Sequence, residues 1–319
     1  MVRIAVLDDY QNVALSMADW GRLPAEAEVT VFNDHLDDRE GLVRRLAEFE
    51  VVCAMRERTP FPRSVLEALP KLRMLVTTGV RNASIDLSAA TERGVLVTHT
   101  RGTAHPTPEL AWGLILALAR HIPFEHRAMQ EGRWQTTIGR SLHGNTLGIL
   151  GLGRLGSWTA RIGKAFGMQV IAWSQNLTPE RAAEAGAAHV GKEELFRRSD
   201  VVSIHLVLSE RTRGLVGAAE LALMKPAALL INTSRGPIVD EAALIETLRQ
   251  RRIAGAGLDV YDREPLPADH PLRTLDNVVL TPHLGYVTED TYRIFYGDTV
   301  ENIAAWMAGS PIRVLSPGA

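Results

Sequence analysis

Short runs rich in β-branched and other apolar residues punctuate the first hundred positions: RIAVL, EVTVF, EVVCAM, RMLVTT and VLVTHT. Helix-like segments separate them, and within the runs polar and apolar residues do not alternate. Strands covered by helices on both faces read this way, so the pattern predicts parallel α/β architecture. An apolar helix follows at about 107 to 120, and then RHIPFEHRAMQEGRWQTTIGR, a polar stretch broken by Pro123 and glycines. A second alternating series comes next, with TLGIL, MQVIAW, DVVSIHL, AALLIN, AGAGLDV and NVVLT as its strands. Six such strands make a complete doubly wound sheet of the dinucleotide-binding type. Residues 287 to 308 place Ile294, Phe295, Val300, Ile303, Ala304 and Met307 at roughly helical spacing. This predicts an amphipathic helix, whose apolar face packs most simply on the first domain.

Length supports the same division. At 319 residues the chain is about twice the usual size of one domain. Lys plus Arg is 35 and Asp plus Glu is 37, a net charge of −2, so no broad basic surface for nucleic acid is expected. Small neutral or anionic ligands fit better. Cys53 is the only cysteine, which excludes an intramolecular disulfide and leaves a cysteine-based metal site without ligands. MVRIAVLDDY enters a strand directly, with no long apolar core of a signal peptide, and LAWGLILALA (residues 110 to 119) is about half of what a membrane span needs. A cytoplasmic protein without a membrane or nucleic-acid partner is therefore expected.

In TLGILGLGRLGSWTARIGKAF, Gly151, Gly153 and Gly156 form G-x-G-x-x-G between a strand and a helix. The first glycine permits the turn, the second lets a pyrophosphate approach the backbone, and the third lets helix and strand pack closely. The helix N-terminus then offers free N–H groups and positive dipole to the phosphates. Glycine-rich turns also serve as plain packing devices, but the strand before and MQVIAW after favour nucleotide binding. The second strand of such a unit normally ends on an acidic residue that binds the ribose hydroxyls and repels a 2′-phosphate. Here it ends on Ser174, Gln175 and Asn176, which are uncharged; the nearest arginine is Arg181. Use of both NAD(H) and NADP(H), with a lean to NADP(H), is the expectation.

Three polar residues fall at or just beyond the ends of successive late strands: Arg235 in INTSRG, Glu264 in GLDVYDREP and His283 in LTPHLG. Strand carboxyl ends in an open parallel sheet converge on the ligand crevice. Singly, each has a bland reading as a solvated charge, a surface carboxylate or a structural histidine. Together beside a dinucleotide loop they suit reduction of a 2-oxo acid. A guanidinium fork grips carboxylate and carbonyl oxygens, an imidazole gives and takes the proton near neutrality, and a carboxylate beside it orients the ring and favours the imidazolium.

From GNTLGILGLGRLG to TPHLGY the chain resembles the D-isomer-specific 2-hydroxyacid dehydrogenase family, and the resemblance extends over nearly its whole length. It implies an Arg235/Glu264/His283 set and a flavodoxin-like substrate domain (1–100 plus 286–319) that carries an inserted Rossmann cofactor domain (101–285). TTGVRNASID resembles a loop whose backbone N–H groups hold the substrate carboxylate, pointing to Gly79 and Val80, and MRERT makes Arg56 a second anchor or a solvated loop charge. The resemblance further assigns Arg154 and Leu155 to the pyrophosphate, Thr107 to the nicotinamide, His205, Val207 and Thr212 to the adenosine half, and Thr233, Asp259 and Gly285 to the nicotinamide amide. Ser174 departs from the family's usual aspartate and Val207 from a frequent proline. Tyr286 stands where a small residue is more usual, and its ring, if it enters the pocket, restricts substrate size. A homodimer through the cofactor domain, with helix 107 to 120 at the contact, is also implied. Two other readings stay open: a dinucleotide-sensing regulatory or corepressor-like protein, and a formate dehydrogenase-like enzyme.

Overall fold

The apolar runs of the first hundred residues become five parallel strands: β1 (Val2–Val6), β2 (Ala27–Val31), β3 (Val51–Ala54), β4 (Met74–Thr77) and β5 (Leu96–His99). The structure is a computed structural model that describes residues 1–317, and it divides into two compact units. One is Met1–Thr103 with the segment from Thr288 onward; the other is Ala104–Val287. In the first unit the strand order is β2-β1-β3-β4-β5, the flavodoxin-like arrangement. All four residues of β3 and of β4 are buried, as apolar runs broken only by Thr77 lead one to expect. Ala5, Val52, Phe61, Leu66, Leu75 and Val97 lie in its core.

Helix Glu289–Met307 belongs to this first unit, and its buried side is more polar than the apolar spacing foretells. Phe295, Val300 and Ile303 are buried, but so are Asp298, Thr299 and Asn302. Each polar group has a partner. The Asn302 amide donates to the His99 carbonyl at 2.9 Å, and the Thr299 hydroxyl donates to the Phe295 carbonyl at 2.8 Å. Asp298 receives the Arg101 backbone N–H at 2.7 Å and the Arg101 guanidinium at 2.7 Å, with Arg313 at 3.3 Å. Burial by itself raises the Asp298 pKa, but the bonds and charges of the two arginines outweigh it and hold the carboxyl below its usual range.

The second unit contains β6 (Thr146–Leu150), β7 (Gln169–Trp173), β8 (Ala188–His189), β9 (Val201–Ile204), β10 (Leu229–Asn232), β11 (Gly255–Leu258) and β12 (Val278–Leu280). They form one parallel sheet in the order β12-β11-β10-β9-β6-β7-β8. Six of these strands coincide with the apolar runs. The seventh, β8, is a two-residue edge strand with both residues exposed, so it carries no apolar signal to read. Successive residues along the central strands serve opposite faces. Leu150, Val202, Ile204 and Leu230 join one apolar cluster, while Leu147, Ile149, Val201, Leu229 and Ile231 join another with Ala111, Trp112 and Ile115 of helix Pro106–Ala119. That helix spends most of its apolar surface inside its own unit. The exposed large apolar side chains follow it instead: Ile122, Phe124, Met129, Trp134 and Ile138. No helix among the described residues is long and apolar enough to cross a membrane.

Replacing Asp298 with alanine removes the acceptor of the Arg101 backbone N–H and of the exposed Arg101 guanidinium, while Arg313 keeps Glu301 and Asn302, and is expected to cost about 1–2 kcal/mol. Urea unfolding measures this; a loss below about 0.5 kcal/mol would show the cluster to be energetically idle.

Candidate active site

In the seven-stranded sheet the strand order reverses between β6 and β9, the topological switch point where open α/β sheets form their ligand crevice. The glycine loop leaves β6 at that point. Gly151 has φ +103°, a backbone region that favours glycine, and a Cβ there would lie 2.8 Å from the His205 carbonyl carbon just after β9. A Cβ on Gly156 would lie 2.1 Å from the Gly151 carbonyl oxygen, so helix and loop touch there. Gly153, by contrast, faces open space and is the N-cap of helix Arg154–Ala165, with no side chain capping its N–H groups. Uncapped donors, positive dipole and open space together form a cradle that fits a pyrophosphate.

Beyond the loop, β7 ends at Trp173, whose carbonyl accepts the Gly151 N–H at 2.8 Å. Ser174 is half-buried there, while Gln175 and Asn176 are exposed. None carries charge. Arg154 is exposed beside the cradle and Leu155 half-buried. Val207 is 83% exposed, and the Thr212 hydroxyl closes its loop by donating to the Val207 carbonyl at 2.7 Å. His205 meets the glycine loop through its backbone, because its ring is turned onto the Ser203 hydroxyl at 2.8 Å. Desolvation pushes that imidazole down to about 4, so it is neutral at working pH.

Of the polar set, the late-strand ends bring Glu264 and His283 into direct contact. Arg235 follows β10 on a turn shaped by Asn232, whose amide donates to the Arg235 carbonyl at 3.0 Å and whose oxygen accepts the Ser234 N–H at 3.1 Å. The Arg235 guanidinium donates to the Ser234 carbonyl at 2.7 Å. His283 lies beyond β12 with φ +54°, a left-handed conformation uncommon for a side-chain-bearing residue. Its Nδ1 is 2.6 Å from Glu264 Oε2, while Glu264 Oε1 accepts the Tyr261 N–H at 2.9 Å. The Tyr286 ring stands edge-on to the His283 ring, with centroids 5.5 Å apart.

Asp259 is completely buried and holds the histidine turn. Its carboxylate accepts the Thr281 hydroxyl at 2.6 Å, the Leu284 N–H at 2.7 Å and the Gly285 N–H at 2.8 Å. Burial raises its pKa against the opposing pull of these donors and of His283. The Gly285 carbonyl accepts the Thr107 hydroxyl at 2.8 Å. Thr233 is buried, and its hydroxyl has no hydrogen-bond partner among the described residues. A buried orphan hydroxyl next to Arg235 fits a site that a polar ligand group completes.

Arg56, Gly79 and Val80 form a group of their own in the first unit. Gly79 has φ +80°, and a Cβ there would lie 1.8 Å from Arg56 Nη1, so the glycine makes room for the guanidinium. Its N–H, expected to hold a carboxylate, donates to the Thr100 hydroxyl at 2.7 Å. Arg56 is tied to the Thr78 hydroxyl through its own N–H at 2.9 Å, and Val80 is 51% exposed. Thr100 and Asn232 went unnoticed in the sequence because a threonine after a strand and an asparagine ending one are ordinary there. Among the described residues, no group of three His, Cys, Asp or Glu side chains could hold a metal ion.

Residues 112–285 match the family described as D-isomer specific 2-hydroxyacid dehydrogenase, NAD binding domain. The chain is 42% identical over 255 residues to a glyoxylate reductase of Aeropyrum pernix, covering 77% of this chain and 76% of that protein. It is 31% identical over 326 residues to a hydroxypyruvate reductase of Blautia hydrogenotrophica, covering 99% and 100%. A crystal structure of a phosphoglycerate oxidoreductase from Vibrio cholerae superposes with TM-score 0.92 at 38% identity, over 97% of this chain and 100% of that one. The chain belongs to the D-isomer specific 2-hydroxyacid dehydrogenase family. It is an oxidoreductase that uses a nicotinamide dinucleotide and interconverts 2-oxo and 2-hydroxy acids.

The neutral His205 makes stability depend on pH. Its folded pKa lies below the unfolded value near 6.5, so between about 6.5 and about 4 the unfolded chain binds the proton and the folded one does not. Stability falls as pH drops through that window, by up to about 3 kcal/mol. His205→Gln is expected to lose this component of the acid-side slope in chemical denaturation at pH 7 and pH 4.5; curves parallel to wild type would contradict it.

Proposed function

We propose that this enzyme reduces a small 2-oxo acid to the D-2-hydroxy acid, with Arg235, Glu264 and His283 as its catalytic residues and a lean to NADPH. The observation that carries the reading is the 2.6 Å contact between His283 Nδ1 and Glu264 Oε2 within the matched cofactor region. With its pyrophosphate held by Gly151, Gly153 and Gly156, a nicotinamide dinucleotide would supply the hydride that the substrate carbonyl carbon takes up. The Arg235 guanidinium pairs with the carboxylate and carbonyl oxygens and polarises the carbonyl. Glu264 engages Nδ1 and leaves Nε2 of the imidazolium to deliver a proton to the carbonyl oxygen. In the reverse direction the neutral ring takes that proton back. Thr233, Thr107 and the Asp259-held turn serve the nicotinamide end, and Gly151, Gly153, Gly156, Arg154 and Leu155 the pyrophosphate. Val80 and Arg56 serve as further carboxylate anchors.

Substrate size and cofactor choice follow from two neighbourhoods. The Tyr286 ring beside His283 favours compact substrates of the glyoxylate or hydroxypyruvate kind, in line with the reductases the chain resembles. Uncharged Ser174, Gln175 and Asn176 present no carboxylate to repel a 2′-phosphate. The exposed Trp134 and Ile138, at 73% and 93%, support a homodimer through the cofactor domain, centred on the segment after helix Pro106–Ala119. The lone buried Cys53 suits a reducing cytoplasm.

A panel of 2-oxo acids assayed with NADH and NADPH in parallel tests the reading. Oxidation of cofactor by small 2-oxo acids, with KM for NADPH at or below that for NADH, is expected; a KM for NADH well below that for NADPH would reverse the cofactor assignment. His283→Ala is expected to lower kcat by on the order of 10²–10⁴ while the circular dichroism spectrum stays that of wild type. Near-normal turnover in that variant would remove His283 from the chemistry.

A further inference from the structure

The turns that carry Arg235, Glu264 and His283 all touch one buried residue that neither charge nor motif singles out. Tyr261 lies three residues past β11 and is 6% exposed. Its hydroxyl is 3.1 Å from the Leu258 carbonyl at the end of β11 and 2.9 Å from the Thr281 carbonyl just after β12. One hydroxyl proton is therefore shared between two carbonyls, a three-centre bond that fastens the two strand ends together. The Thr281 carbonyl also accepts the His283 N–H at 3.1 Å. The phenol and the catalytic histidine's backbone thus share an acceptor, next to the residue whose φ is +54°.

The backbone of Tyr261 reaches the other two arms. Its N–H binds Glu264 Oε1 at 2.9 Å and leaves Oε2 for His283. On the remaining side, a Cβ on Gly236 would lie 2.1 Å from the Tyr261 carbonyl carbon, so the turn that carries Arg235 rests on the Tyr261 backbone. Burial, reinforced by Asp259 and Glu264, pushes the phenol pKa well up, and the hydroxyl remains a donor throughout the working range.

We infer that Tyr261 is a positioning residue: its hydroxyl holds the Thr281–His283 turn, and through it the imidazole, in line with Glu264 and the reacting oxygen. This rests on the proposed role of His283. Asp259 grips the same turn from the Thr281 hydroxyl and the Leu284 and Gly285 N–H groups, so the two side chains fix it at different atoms. With only Asp259 left, the turn keeps its place on the sheet while the left-handed residue regains torsional freedom. Proton delivery suffers first, because transfer needs heavy atoms within hydrogen-bond reach, whereas binding at the glycine cradle and at Arg235 does not involve this carbonyl.

The test compares wild type with Tyr261→Phe in steady state and in single turnovers, in H2O and in D2O. The expected result is a kcat lower by on the order of 10-fold, KM values for 2-oxo acid and NADPH within about twofold, a larger solvent isotope effect on the single-turnover rate and a displaced pH profile. Wild-type kcat in the variant overturns the inference. So does a lower rate with isotope effect and pH profile unchanged, which is the mark of a merely structural tyrosine. Absence of 2-oxo acid reduction by wild type itself removes the underlying reading, a failure seen before any variant is made. Should Tyr261→Phe not fold, NMR of the wild type decides: a slowly exchanging Tyr261 hydroxyl proton close to the His283 amide proton supports the clamp, and a freely exchanging one overturns it.

Discussion

The geometry of the site depends on a buried carboxylate that is not itself in the chemistry. Asp259 has no exposure and gives both oxygens to the turn that follows β12. A buried anion is tolerated when donors surround it, and here three short bonds from Thr281, Leu284 and Gly285 do so. In exchange the turn is held firmly enough to keep His283 in a left-handed conformation that costs on the order of 1 kcal/mol or more. Strain at one residue, opposed by several hydrogen bonds at its neighbours, is how a flexible ring is given one direction. Glu264, fixed at its own far oxygen by the Tyr261 N–H, then meets that ring at 2.6 Å.

A second constraint works without charge, through backbone proximity at the switch point. Gly151 and Gly156 are where they are because any side chain would strike the His205 backbone or the loop's own carbonyl. Gly153 is free of such contacts, and that freedom is the functional part: two glycines close the packing and the third leaves helix N–H groups open to a ligand. The His205 ring, bonded to Ser203, is neutral and so adds no charge beside this loop.

Much of this was legible beforehand because it is periodic or local. Apolar runs mark buried parallel strands, and the spacing of Gly151, Gly153 and Gly156 marks the cradle wherever a strand precedes and a helix follows. Arg235, Glu264 and His283 each read singly as a solvated charge, a surface carboxylate or a structural histidine, and only their joint placement at late-strand ends beside a dinucleotide loop made them candidates. What escaped is what only the third dimension supplies. Ala188–His189 forms a strand too short and too exposed to show a pattern. Asp298 and Asn302 are polar residues on the buried side of a helix, where periodicity predicts apolar ones, and their partners Arg101 and His99 lie 197 and 203 positions away. The bond from the Gly79 N–H to the Thr100 hydroxyl joins residues 21 positions apart and leaves no local signal. Tyr261 reads as an ordinary aromatic after a strand until its hydroxyl is seen between two carbonyls.

The central claim is that His283, braced by Glu264, stands ready to pass a proton to the oxygen of a 2-oxo acid. A crystal structure with NADPH and a non-reducible 2-oxo acid analogue tests it most directly. The account predicts His283 Nε2 within about 3.2 Å of the analogue's carbonyl oxygen, with Nδ1 still on Glu264. An analogue bound with that oxygen beyond about 4 Å, or an imidazole turned away from it, would contradict the account.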